Sequence, residues 1–245
     1  MSKEKLQIKR RSMFGEVMVR FLRKPIAVFG AVIMIVVVAL CLLAPVIAPY
    51  DIDAQDITRK FTEPSQEFIC GTDNLGRDIF SRLLYGGRIS LMVGFVSASI
   101  AAILGVILGA IAAFYGKRTD NIIMRILDVF MALPQMLLAI AISAMIGTGI
   151  KGAIIAVTVA TIPRYAQAVR GPILSIRNQE FVEAAFAIDA KDSRIVLRHI
   201  LPNVLSPIIV QVTMGVGNAI TMAASLSFIG LGVQPPYPEW GAMLS

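Results

Sequence analysis

IMIVVVALCLLA, residues 33–44, decides the class of this protein. It carries no charge, and it lies inside a longer apolar run from Ile26 to Ala48. A helix rises ~1.5 Å per residue, so ~20 residues cross a hydrocarbon core of ~30 Å. Lipid offers no hydrogen-bond partner, so a spanning backbone must satisfy itself, as a helix does. Charges before the run and a small residue at Ala48 resemble a signal peptide. The run is longer than the ~7–15-residue core of such a peptide, and more spans follow it. It therefore reads as an uncleaved first span.

Four more apolar stretches follow: Ile89 to Phe114, Ile122 to Ile146, Ala153 to Val169, and Val204 to Leu231. The composition agrees. Of 245 residues, 56% are apolar and 16% charged, where soluble chains hold ~45–50% and ~25%. The net charge is +7. The basic residues sit beside apolar segments, which points to membrane topology and lipid contact rather than nucleic acid. Cys41 lies in an apolar run and Cys70 in a polar loop, so no disulfide framework is expected. With His199 as the only histidine, no metal set and no cofactor site stands out.

Lys and Arg counts set the orientation. Residues 1–25, the turn near 115–121 and the segment 170–203 together hold fifteen, against six on the other side. The segment 1–25 is thus read as cytoplasmic, 26–48 as the first span and 49–88 as an extracytoplasmic loop. Residues 89–231 form the rest of the bundle, and 232–245 an extracytoplasmic end. The fold expected is all-α and integral to the membrane, with five spans.

Some motifs mislead. Gly147, Gly149 and Gly152 fit G-x-G-x-x-G, but they join two spans instead of a strand and a helix, so a tight turn is expected. Gly116-Lys117 is followed by Arg118, so no Walker A loop is present and ATP chemistry must come from another polypeptide. A Ser-His-Asp set drawn around His199 has nothing to bring it together.

Other patterns inform. Ser97, Ala101, Gly105, Gly109 and Ala113 recur every fourth residue and share one helix face. Small faces let helix backbones approach closely in lipid. Arg125 and Asp128, three apart in the third span, are expected to form an intramembrane ion pair. Pro134 is expected to kink that span, and Pro163 the fourth.

Residues 178–202 read NQEFVEAAFAIDAKDSRIVLRHILP. Phe181, Ala184 or Ala185, and Ile188 make an apolar stripe at helical spacing, with Gln179, Glu180 and Glu183 off it. Asn178 and Asp192 are candidate N-caps. Two short helices joined at Asp189–Lys191 are expected, forming a protruding amphipathic knob.

This stretch resembles the EAA loop of ABC importer permeases. Glu183-Ala184-Ala185, the turn position 189 and Leu201-Pro202 match its EAA, Gly and Ile-x-Leu-Pro elements in spacing. Asp189 stands in place of the glycine, and His199 in place of a common isoleucine. Asp tolerates the left-handed conformation better than most residues, so the turn is expected to survive. Residues 70–82, CGTDNLGRDIFSR, resemble the GTDxxGRDxxSR stretch of dipeptide, oligopeptide and nickel permeases. Residues 227–244 resemble the segment after their fifth span.

The resemblance implies the second, C-type permease of a type I importer. It implies a second permease, two cytoplasmic ATPases and an extracytoplasmic binding protein as partners. Glu180, Glu183, Ala184, Ala185, Asp189, Leu201 and Pro202 would dock the ATPase. Di- or oligopeptides are the implied solutes, since no His or Cys cluster favours nickel. The family has a sixth span, so a fragment with five of six spans and poor assembly on its own is expected. A secondary transporter or channel would lack the EAA knob, and a membrane enzyme would need a polar catalytic cluster that is not visible.

Overall fold

A computed structural model describes residues 21–244. Lys3, Lys5, Lys9, Arg10, Arg11 and Arg20, which weigh in the orientation argument, lie outside the described residues. Among the described residues the chain is helical, with one isolated bridge between Thr72 and Asp78.

Helix α1 (Pro25–Leu42) starts at a proline, where a missing N–H costs nothing. A short α2 (Ala44–Ile47) follows. Most of α1 is exposed, with Cys41 its one buried residue, so much of this helix faces lipid or a partner. Helix α3 (Ile79–Tyr115) has 37 residues, roughly 55 Å of helix. It starts well before Ile89, the expected edge of the second span. Its first turns carry Ser81, Arg82 and Arg88, which lower the local hydropathy, yet Asp78 caps them as true helix.

The third span departs most from expectation. Helices α4 (Lys117–Met131) and α5 (Gln135–Ile146) meet at 87°, which is a break and not a kink. Pro134 has no N–H to continue the ladder and disfavours helical geometry at Leu133. It ends up as the N-cap of a new helix. Counting this pair as one span gives up to five membrane-crossing segments. Helix α6 (Ile150–Arg177), by contrast, runs on through Pro163 and Pro172.

The α6 C-terminus leads to α7 (Glu180–Ala187), then α8 (Asp192–Arg194). A π turn, Ile195–Ile200, and a 3-10 turn, Leu201–Val204, connect α8 to α9 (Leu205–Phe228). The end of the bundle holding α7 and α8 is the knob end. The opposite end, where residues 48–78 meet 229–244, is the loop end.

The small residues set the packing. Ser97, Ala101, Gly105, Gly109 and Ala113 are all buried. A Cβ on Gly105 would meet Tyr165 and the Ile162 carbonyl, and one on Gly109 would strike the Ala166 backbone. Backbone thus lies on backbone along α3 and α6. Without a hydrophobic drive between helices in lipid, such contact is what holds them. Gly94 repeats the pattern against Ile220 of α9, and Gly215 of α9 against Tyr165.

Gly109→Val is expected to lower the thermal unfolding midpoint of the detergent-purified chain, at a cost of ~3 kcal/mol or more. Gly217→Ala, where an added Cβ meets nothing within 4 Å, is expected to leave the midpoint unchanged or slightly raised. Equal effects of the two would contradict the packing described.

Candidate functional site

The knob forms because its sequence writes two short helices around one turn. Gln179 is extended and caps α7 without a side-chain bond, while Asn178 ends α6. Asp192 is the first residue of α8, with Lys191 before it. Both expected caps are therefore displaced by one residue. The buried face of α7 is Val182 and Ala185. Phe181, Ala184 and Ile188 are exposed, so the expected stripe lies one step round the helix. Val182 is the residue that reading missed.

Asp189 adopts φ 53° and closes α7 with a Schellman pair. The Asp189 N–H donates to the Phe186 carbonyl at 3.0 Å, and the Ala190 N–H to the Ala185 carbonyl at 3.2 Å. Leu201 and Pro202 lie in the 3-10 turn that restores α-helical pitch before α9. Glu180 and Glu183 are exposed in the first turn of α7. Acidic groups there complement the positive end of the helix.

The knob is plugged into the seam. Val182, Ala185, Ile195, Ile200 and Val204 share one apolar cluster with Ala110, Ala113 and Phe114 of α3 and Val169 and Ile173 of α6. Phe114 and Phe186 stack with ring centroids 5.9 Å apart. A force on the knob is therefore applied to both helices of the seam.

Arg125 and Asp128 make no ion pair with each other, and both are exposed. The ion pair of this region joins Asp120 of α4 to Arg170 of α6. Arg170 Nε and Nη2 each donate to one Asp120 oxygen at 2.6 Å, a bidentate fork. Local spacing could not reveal it, because its partners come from different helices. Tyr165 was also missed. Its ring fills the gap between Gly105 and Gly215, and its hydroxyl is buried with no partner among the described residues.

At the loop end, the two motif stretches build one platform. Asp73 Oδ1 accepts from the Leu75 N–H at 2.8 Å and the Arg77 N–H at 2.9 Å, and Arg77 Nε donates to Oδ2 at 2.7 Å. Burial pushes the Asp73 carboxyl up, but these hydrogen bonds outweigh it and hold the group below its usual range. Gly76, at φ 73°, lets the turn lie on the Asp56 backbone. Asp78 Oδ2 then caps α3 through the Ser81 N–H at 2.7 Å.

The segment after α9 is tied to the same helix. Buried Glu239 accepts from Ser90 Oγ at 2.7 Å and from the Gly241 and Ala242 N–H groups. The Trp240 indole donates to the Leu83 carbonyl at 3.0 Å. Between the stretches lies a cavity of about 620 Å³, walled by Asp73, Arg77, Arg82 and Tyr237 among others. The glycine-rich turn between α5 and α6 supports this end too, as the Gly149 N–H donates to the Gly232 carbonyl at 2.7 Å.

Comparison with known proteins gives first the class. The fold matches a chain of the MetNI methionine ABC transporter in an inward-facing form, with a TM-score of 0.57 at 22% identity. The match covers 68% of this chain and 85% of that one. The protein has the fold of an ABC importer permease.

The sequence then gives the family. Residues 105–245 match the family described as the binding-protein-dependent transport system inner membrane component. Residues 12–64 match the N-terminal TM domain of oligopeptide transport permease C. The chain is 44% identical over 223 residues to the dipeptide transport system permease protein DppC of Alkalihalophilus pseudofirmus, covering 91% of this chain and 73% of the relative. It is 46% identical over 227 residues to the glutathione transport system permease protein GsiD of Escherichia coli, covering 92% and 75%. The chain belongs to this family of transport-system inner membrane components, on the C-type branch. It is a multi-pass membrane permease, the translocation subunit of an ATP-coupled importer.

The turn at Asp189 carries a direct test. Asp189→Gly is expected to keep or raise the thermal midpoint, with a gain in stability of up to ~1 kcal/mol, by relieving a left-handed non-glycine residue. Asp189→Val is expected to lower the midpoint, with a loss in stability of ~1–2 kcal/mol, since a β-branched residue resists positive φ. A tolerated valine would mean that the Schellman turn does not hold the knob.

Proposed function

We propose that this permease carries small peptides inward, and that residues 178–202 couple it to a separate ATPase. The observation that carries the coupling role is the plugged knob. It is an amphipathic helix pair with an acidic outer edge, seated on the buried seam of the bundle. A docking partner that closes around it can tilt α3 and α6 together, which is what switching between two discrete packings requires.

The other parts follow from the same reading. The knob end is cytoplasmic, by the excess of Lys and Arg on that side. Residues 1–25 then lie in the cytoplasm, while 49–88 and 232–245 face outward. Two ATPase subunits supply hydrolysis, a second permease completes the pathway, and an extracytoplasmic binding protein delivers the solute to the loop platform. Glu180, Glu183, Ala184, Ala185, Asp189, Leu201 and Pro202 make or shape the ATPase contact. The membrane is the cell membrane of a bacterium or archaeon. Dipeptide and glutathione transport by the two relatives supports a small peptide as solute.

A pull-down of the tagged chain from its native membranes tests the coupling role. The wild-type chain is expected to bring down an ATPase and a second permease. Glu183→Arg is expected to lose most of the ATPase while keeping the permease. Normal ATPase recovery by Glu183→Arg would remove the knob from the coupling role.

A further inference from the structure

The knob has a second charged feature, of opposite sign to Glu180 and Glu183. A cavity of about 400 Å³ opens beside the α7–α8 turn, walled by Ile188, Asp189, Lys191, Arg194, Leu197 and Arg198 among others. Arg194 and Arg198 lie four residues apart on the helical segment, and Lys191 stands at its start, so all three cations ring one opening. All three are exposed. Among the described residues, none of them belongs to an ion pair. The acid on the rim is Asp189, whose backbone is committed to the Schellman turn. Asp192, between Lys191 and Arg194, lies off the cavity lining and faces the Tyr115 hydroxyl, so residues 188–198 as a whole carry one net positive charge.

We propose that this cavity is an anion-accepting subsite that receives an acidic side chain of the ATPase. This deepens the coupling reading and rests on it. The cavity walls come from residues 188–198 alone, the middle of the stretch between α6 and α9. Guanidinium groups present planar forks that match a single carboxylate. The knob as a whole is bipolar, with Glu180 and Glu183 at the start of α7 and, past its end, three cations against Asp189 and Asp192. An anionic membrane surface would repel the first set while attracting the second. A protein surface with one basic and one acidic spot answers both. Two opposite contacts on one short knob also fix its orientation in the docking cleft, because a reversed knob would place like charges together.

The test is recovery of the ATPase with the tagged chain across a salt series. Wild type is compared with the double variant Arg194→Glu, Arg198→Glu, with the milder Arg194→Gln, Arg198→Gln, and with Arg118→Glu. Arg118 is an exposed cation at the same end of the bundle but off the knob. The double reversal is expected to recover roughly tenfold less ATPase at low salt, and to flatten the salt dependence. The glutamine pair is expected to fall between it and wild type, and Arg118→Glu to match wild type.

Wild-type recovery by the double reversal, with Glu183→Arg still impaired, would overturn this inference alone. No ATPase recovered by any form would overturn it together with the coupling reading. Unchanged ATPase but less co-purified acidic phospholipid in the double reversal would assign the cavity to a lipid headgroup, and would overturn it as well.

Discussion

Close backbone contact between α3 and α6 is the constraint on which the rest depends. Gly105 and Gly109 bring the two helices so near that a single methyl group on Gly109 would strike the Ala166 main chain. In lipid this contact cannot be replaced by generic apolar packing, because the tails are as apolar as leucine. The seam carries the knob at one end through Ala110, Ala113, Phe114 and Ile173. At the other end α3 carries the platform through Asp78, Ser90 and Gly87, the last packed against Cys41 and Trp240. One long helix thus spans both ends of the path.

This arrangement explains why the broken helix matters. The turn from α4 to α5 lets the chain leave the seam and return at nearly a right angle. Irregular backbone at membrane depth is tolerated where protein or a water-filled cavity covers it. The Asp120–Arg170 fork fixes the first turn of α4 to α6, ahead of that break. The knob, the fork and the seam are thus joined through α6, while α9 packs on the seam through Ala219, Ala223 and Leu226, with close approaches at Gly94 and Gly215. The Tyr165 hydroxyl, without a partner among the described residues, lies where α9 meets the seam at Gly215.

The five apolar runs were legible, because hydropathy over ~20 residues is a physical requirement of the bilayer. The small stripe on α3 was legible for the same kind of reason, since a four-residue period places side chains on one face. What stayed hidden was long-range. The start of α3 at Ile79 depends on loop carbonyls, Gly71 accepting from the Ile79 N–H and Ile52 from Arg82 Nη1. The pairing of Arg170 with Asp120 depends on how α4 lies across α6, and local spacing favoured Arg125 with Asp128 instead. The buried face of α7 was read one step off because Ala184 and Ala185 fit a stripe equally well. Val182 settles it only once the seam beneath is known. The turn at Asp189 was legible in kind, since its position and residue type both favour a left-handed C-terminus.

The most direct measurement is photo-cross-linking in native membranes from a reactive residue placed at Ala187 on the knob, with Tyr237 on the loop platform as the comparison site. Both positions are exposed. The account requires Ala187 to cross-link to an ATPase subunit and Tyr237 not to. Cross-links to the ATPase from Tyr237, or only lipid adducts from Ala187, would contradict the assignment of the knob as the coupling element.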